Sequence, residues 1–332
     1  SAVIALEEST AERRHALDIK GAFLAVAGRV DGYATRMTNA PWLFDLGDIG
    51  VALGLEAARL VNDYVPQAAA LHVLDEANAA DLARIGPVAA GRGPRLVLGA
   101  GTGLGAAALV PAGDRLLVQT TEAGHVGFGP CERDELPWQA LMPAEGRLTA
   151  EALLSGPGLA KLARALAAGR GVAAWQSPPK VLEAANVGDP LAREAVRQFA
   201  RLLGRLAGDL ALMFSATGGV YLAGGIAPRI VEALKGEAFR DAFEDKPPFS
   251  EVMQAIPRFV ITRPEPAIDG LAALLRARGL TVAQRSKGEE IGAEVATVGS
   301  VEQLLAEHEG APIFYLSTGA WNTCGTLTRF LK

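Results

Sequence analysis

The sequence predicts an α/β protein, and three observations carry the prediction. Short continuous apolar runs that stop on glycine, such as G-A-F-L-A-V-A-G at 21–28 and G-G-V-Y-L-A-G-G at 218–225, have the pattern of strands buried on both faces. Apolar residues also recur at helical spacing, most clearly over 189–216. There Ala195, Phe199, Leu202, Leu203, Leu206 and Leu210 share one face of a single long helix. Finally, 332 residues, 50% of them hydrophobic, suit one large or two medium domains, because cores stop growing near roughly 250 to 300 residues.

The elements follow in order. After the strand at 21–28, the turn R-V-D-G (29–32) leads into Y-A-T-R-M-T-N (33–39), whose alternation predicts a partner strand. The segment E-A-A-R-L-V-N-D-Y (56–64) stops on Asn62 and Asp63, which points polar side chains beyond a strand's C-terminal edge, where ligands of α/β sheets bind. Next, P-R-L-V-L (94–98) and L-G-A-A-A-L-V (104–110) flank a glycine loop as a hairpin. The stretch L-L-V-Q-T-T-E-A-G-H-V-G-F-G-P (116–130) is a strand running into a polar turn that holds Glu122 and His125. A mixed helical region, the segment L-T-A-E-A-L-L-S-G-P-G-L (148–159), the long helix, the strand at 218–225 and a helix at 267–278 complete the order. No internal repeat or low-complexity linker interrupts it.

A net charge of -5 provides no field to collect DNA, RNA or an anionic membrane, so the expected partner is small. Two cysteines, Cys131 and Cys324, without dense spacing fit a reducing, cytoplasmic compartment and neither a disulfide framework nor a thiolate zinc site. Charges run through the first twenty residues, which leaves no signal-peptide core. No stretch of about 18 uncharged apolar residues exists to span a membrane.

The glycine loop V-L-G-A-G-T-G-L-G-A-A (97–107) sets Gly99, Gly101, Gly103 and Gly105 around Thr102. Glycine inside a regular element costs roughly 0.5 to 1 kcal/mol relative to alanine. The cluster therefore serves either a sharp turn or backbone N–H groups that approach a ligand with no Cβ in the way. Other candidates have equally plain structural readings. Asp63 fits a helix N-cap, His125 a core histidine satisfied by a carbonyl, Ser155-Gly156 a turn and cap, and Gly224-Gly225 close strand-to-helix packing.

Six motifs in order narrow these choices: M-T-N-A-P-W (37–42), L-V-N-D-Y (60–64), G-A-G-T-G-L-G (99–105), E-A-G-H-V-G-F (122–128), A-E-A-L-L-S-G-P-G-L (150–159) and Y-L-A-G-G-I-A-P-R (221–229). Over roughly residues 10–278 the chain resembles the bacterial-type glucokinase family, ATP-dependent hexose kinases of the actin-like superfold. The resemblance implies two actin-like (ribonuclease H-like) α/β domains hinged around a cleft. The smaller would be 1–73 rejoined by 266–280, and the larger 74–265. It implies phosphorylation of glucose at the 6-hydroxyl with ATP and Mg2+, and a cytoplasmic homodimer. Asp63 matches the general base, a part that suits a carboxylate in phosphoryl transfer. Asn39, Asn62, Glu122, His125 and Glu151 match the sugar-hydroxyl ligands. Gly99, Gly101, Thr102 and Gly103 match the second phosphate loop, and Gly224 and Gly225 the backbone beside adenosine. No side chain is assigned to a metal.

The pattern also departs from the family. No D-x-G-G-T first phosphate loop stands upstream of residue 21, while about fifty residues continue past 279. Among them P-I-F-Y-L-S-T-G-A-W-N-T-C-G-T-L-T-R-F (312–330) outlines a hairpin. Residues 281–332 are thus expected to be an extension, with a substitute hairpin as one account. Two alternatives to a glucokinase stay open: a hexose-binding sensor or interaction protein without turnover, and a kinase for another hexose.

Overall fold

The computed structural model describes residues 21–28, 30, 34–36, 43–48, 57–88, 91, 93–113, 115–131, 136–144, 146–175, 177–276 and 280–282. Asn39, the M-T-N-A-P-W motif around it and the expected hairpin at 312–330 lie outside the described residues.

Along the chain run strands β1 (Gly21–Val26), β2 (Ala34–Arg36), β3 (Leu43–Asp45) and β4 (Ala57–Asn62), then helix α1 (Tyr64–Ala70). Strands β5 (Leu82–Arg84), β6 (Arg95–Ala100), β7 (Leu104–Ala112) and β8 (Arg115–Thr121) follow, with a 3-10 turn at Ala123–His125. Helices α2 (Ala150–Leu153), α3 (Gly156–Ala168), α4 (Pro178–Asn186) and α5 (Pro190–Met213) precede β9 (Gly219–Ala223) and α6 (Glu237–Glu244). The described chain closes with β10 (Arg258–Ile261), α7 (Pro266–Arg276) and β11 (Leu280–Val282).

Two compact units divide it. One comprises Asp75–Ala108 and Thr121–Pro264; the other is the chain up to Leu74, Leu109–Thr120 and the part from Glu265 onward. The segment Leu109–Thr120, inside the large domain expected at 74–265, therefore clusters with the smaller unit.

In the smaller unit β1 pairs parallel with β4, Val26 opposite Asn62. Leu24, Ala25, Val26, Leu60 and Val61 are buried, as two continuous apolar runs require of a parallel pair. The alternating segment after β1 is not its partner, contrary to the sequence expectation. β2 instead pairs antiparallel with β3, Ala34 opposite Asp45, because strand partners are set by packing context and not by a strand's own alternation. Helix α1 packs on α7. Gly270 makes that approach possible, since a Cβ there would collide with the Pro66 carbonyl.

In the larger unit β6 pairs parallel with β9, and β9 parallel with β10. β5 closes the edge antiparallel to β10. Every residue of β9 and β10 is buried. The long helix expected at 189–216 is α5, capped by Asp189, whose carboxylate accepts from the Leu191 and Ala192 amides. Its apolar face, including Phe199, Leu202, Leu206 and Leu210, is buried against α3, α4 and α6. Gly204 and Gly208 let α6 come close, because a Cβ at either would meet the Phe239 or Phe243 carbonyl.

Candidate active site

In the smaller unit the end of β4 presents the sequence-predicted pair. The Asp63 amide donates to the Val26 carbonyl at 3.0 Å, which extends the β1–β4 pairing by one residue. Asp63 stands at the N-cap position of α1 in an αR conformation, and its carboxylate makes no capping hydrogen bond. The plain capping role therefore fails for this residue. Asn62 is locked at both ends of its amide: Nδ2 donates to the Gly28 carbonyl at 3.0 Å, and Oδ1 accepts from the Tyr64 amide at 2.9 Å. Such a side chain steadies the strand end, with one N–H and one lone pair left over.

In the larger unit the glycine loop is a tight turn between neighbouring strands β6 and β7. The Gly101 amide donates across it to the Gly103 carbonyl at 2.8 Å. Gly101 faces open space: nothing lies within 4 Å of where its Cβ would be. Thr102 at the tip is exposed. The amides of Thr102 and Gly103 bond to no described residue. Gly99 differs from the rest. It is buried inside β6 opposite Ala223 and belongs to the strand.

Gly224 and Gly225 sit beside that turn. Gly224 has φ +84°, and a Cβ on it would collide with the Ala100 backbone, so the position requires glycine twice over. The Ile226 amide donates to the Ala100 carbonyl at 3.3 Å. Ala100, the last residue of β6, thus anchors both glycine turns.

The remaining predicted residues gather on the same unit. Glu151 lies in the first turn of α2, whose N-cap Thr149 accepts from the Ala152 amide. Its Oε2 accepts from the Leu104 amide at 2.9 Å, and its Cδ and Oε2 fill the space that a Gly103 side chain would need. Glu122 and His125 flank the 3-10 turn, Nε2 to Oε2 3.9 Å, with side chains 52% and 45% exposed. This turn is tied to Glu151 by a short ladder. Phe128 N donates to Leu148 O at 2.9 Å, and Ala150 N to Val126 O at 3.0 Å.

Three contributors carried no sequence signal. Leu104 acts through its backbone amide. Arg147 donates to the His125 carbonyl at 2.7 Å. Arg205, on α5, lies 4.0 Å over the Phe128 ring and donates to the Gly129 carbonyl at 2.7 Å, which fastens the end of the Glu122–His125 segment to the core helix. A cavity of about 990 Å³ lies elsewhere in this unit, lined by Leu182, Arg193, Gln198, Arg229 and Glu232 among others, and none of the predicted residues borders it. The predicted residues of this unit are joined by hydrogen bonds and not by a shared cavity. Among the described residues no group of three His, Cys, Asp or Glu stands close enough to hold a metal ion, and no helix is long and apolar enough to cross a membrane.

Comparison with known proteins identifies a family and a fold. A family profile described as Glucokinase matches residues 2–278. The chain is 43% identical over 261 residues to a glucokinase of Sinorhizobium fredii, which covers 78% of this chain and 76% of the relative. Its fold resembles the crystal structure of a glucokinase from an Antarctic psychrotroph, with TM-score 0.69 at 29% identity, over 82% of this chain and 84% of that one. A glucokinase of Balamuthia mandrillaris, solved in complex with glucose, shares the fold at TM-score 0.71 and 21% identity, over 82% of each chain. From the family match and the actin-like α/β fold it shares with these structures, the chain belongs to the glucokinase family of enzymes.

Proposed function

We propose that this chain transfers the γ-phosphoryl group of ATP to the 6-hydroxyl of glucose, with Asp63 as the general base. The observation that carries the reading is the turn at Gly101–Gly103. Its Thr102 and Gly103 amides are unbonded among the described residues, and it is pinned against Glu151. An anion-binding turn is thereby fastened to a carboxylate of the kind that grips sugar hydroxyls. Family membership supports the donor and the acceptor, and the Balamuthia relative was solved with glucose bound.

In this reading the amides of Thr102 and Gly103 hold phosphate oxygens, as oriented backbone N–H groups do elsewhere. Gly224 and Gly225 let the backbone lie against the adenosine. Glu122, His125 and Glu151 hold ring hydroxyls, joined by Asn39 and by the remaining capacity of Asn62. Asp63 accepts the proton of the 6-hydroxyl as that oxygen attacks phosphorus. Phosphoryl transfer asks mainly for positioning and charge compensation. Mg2+ bound with ATP supplies part of that compensation. It typically keeps several waters and needs only one or two carboxylates. A cytoplasmic homodimer belongs to the same proposal.

The test is a coupled assay of glucose 6-phosphate formation with Mg-ATP over a panel of hexoses and amino sugars, alongside calorimetric titration of each sugar. Turnover on glucose with the highest kcat/KM is expected. Higher kcat/KM on another hexose would reassign the substrate. Glucose binding without turnover would favour the hexose-binding alternative.

A further inference from the structure

We infer that Glu151 is a two-handed residue: one carboxylate oxygen holds the nucleotide turn, leaving the other for the sugar, so that sugar occupancy and the geometry of the phosphate-binding amides are coupled through the Leu104 backbone. The inference rests on the reading above for the identity of the two ligands. Its geometry stands independently.

Three segments meet at Leu104. Its amide donates to Glu151 Oε2 at 2.9 Å. Its carbonyl sits where a Cβ on Gly124 would be, and Gly124 is the middle of the turn between Glu122 and His125. Leu104 directly follows Gly103, whose own missing Cβ would lie 2.5 Å from Glu151 Oε2. On the far side of the turn, the Gly101 carbonyl accepts from the Gly156 amide at 2.7 Å, three residues past Leu153, the last residue of the helix that carries Glu151. The nucleotide turn is therefore gripped from both flanks by the segment that bears Glu151, through the Glu151 carboxylate on one side and backbone to backbone on the other.

Chemistry assigns the division of labour. A carboxylate accepts through both oxygens, and Oε2 is already engaged by a backbone donor, which leaves Oε1 as the hand for a ligand hydroxyl. A sugar that pulls Oε1 must turn the carboxylate, and Oε2 then moves against the Leu104 amide and Gly103. Binding energies linked in this way are reciprocal: whatever sugar does to nucleotide affinity, nucleotide does to sugar affinity.

The experiment uses a residue of the nucleotide turn to perturb the sugar. Glucose is titrated calorimetrically into nucleotide-free wild type and Gly103→Ala, with thermal melts to confirm folding. Gly103→Ala is expected to weaken glucose binding by about tenfold or more, the loss of one charge-assisted hydrogen bond. A folded variant with unchanged glucose affinity overturns the coupling. Should Gly103→Ala fail to fold, the reverse arm decides. A non-hydrolysable ATP analogue is titrated into sugar-free Glu151→Ala and Glu151→Gln. The glutamine keeps an acceptor for the Leu104 amide and should retain wild-type nucleotide affinity, whereas alanine should lose about fivefold or more. Equal affinities in both overturn the inference. Wild type that binds no glucose would sink the proposed substrate instead, and the nucleotide arm would still test the grip on the turn.

Discussion

Glu151 and Glu122 carry the same carboxylate in the same unit and are held in opposite ways. Glu151 is half-buried, rooted in a helix capped by Thr149, with Oε2 fixed by the Leu104 amide. Glu122 has a side chain 52% exposed, and its neighbour His125, 45% exposed, stands 3.9 Å away, a distance at which little is gained in water. Ordering a free glutamate side chain costs up to about 1.5–2 kcal/mol, and preorganisation removes that cost before the ligand arrives. The difference teaches that one carboxylate is part of the frame, whereas the other is left to the solvent.

This comparison can be broken most decisively at Glu151. Glu151→Ala should cost about 3 kcal/mol or more in kcat/KM for glucose, because it removes the proposed charged sugar ligand and also orphans the Leu104 amide. Glu122→Gln should cost less, about 1.5–3 kcal/mol in glucose affinity, with no effect on nucleotide binding. If calorimetry and kinetics gave the two variants equal losses confined to sugar, the distinction would be wrong.

A smaller effect is expected from Arg205, which fastens the Glu122–His125 segment through Phe128 and Gly129. Arg205→Met keeps the aliphatic stem and should raise KM for glucose with the loss of a cation–π contact, about 0.5–2 kcal/mol, while kcat holds. An unchanged KM would show that the segment is set without Arg205, by its ladder to Leu148 and Ala150 and by Arg147 on the His125 carbonyl.

The smallest effect sharpens the comparison from outside the site. Glu194 is tied as firmly as Glu151, accepting from Arg197 at 2.8 and 2.7 Å and from Gln198 at 2.9 Å. The Arg197 hydrogen bonds hold its carboxyl below the usual carboxylate range against the opposing effect of burial. A depressed folded pKa gives stability that is present above the unfolded value, about 4.3, and lost as pH falls through the folded one. Glu194→Gln should therefore lower Tm slightly at neutral pH, and the gap from wild type should close in acid. Sugar affinity should not change. A gap that widens in acid would contradict the assignment.

Periodicity and punctuation made much of the frame legible. The runs that became β1, β4, β6 and β9, and the apolar face of α5 buried from Ala195 to Leu210, are patterns that local chemistry imposes. The glycine loop was legible as a turn needing open backbone, and Gly101 and Gly224 bear the reasons: open space at one, a positive φ beside Ala100 at the other. Two kinds of feature left no trace. Strand partnership is not local, so the segment after β1 was matched to the wrong neighbour and pairs with β3. Contacts made by backbone are blind to residue type. The Leu104 amide meets Glu151 across 47 positions, and any residue but proline could supply it. Arg205 was likewise one arginine among several on a long helix until Phe128 was seen beneath it.

The central claim is the chemistry assigned to Asp63, whose carboxylate stands at the head of α1 without capping it. The direct measurement is glucose 6-phosphate formation by folded Asp63→Ala beside wild type, with glucose affinity measured on both. A fall in kcat of about 10²- to 10⁴-fold, the range for a general base, with glucose binding within a few-fold of wild type, is the predicted result. A folded Asp63→Ala protein that phosphorylates glucose at near the wild-type rate would contradict it.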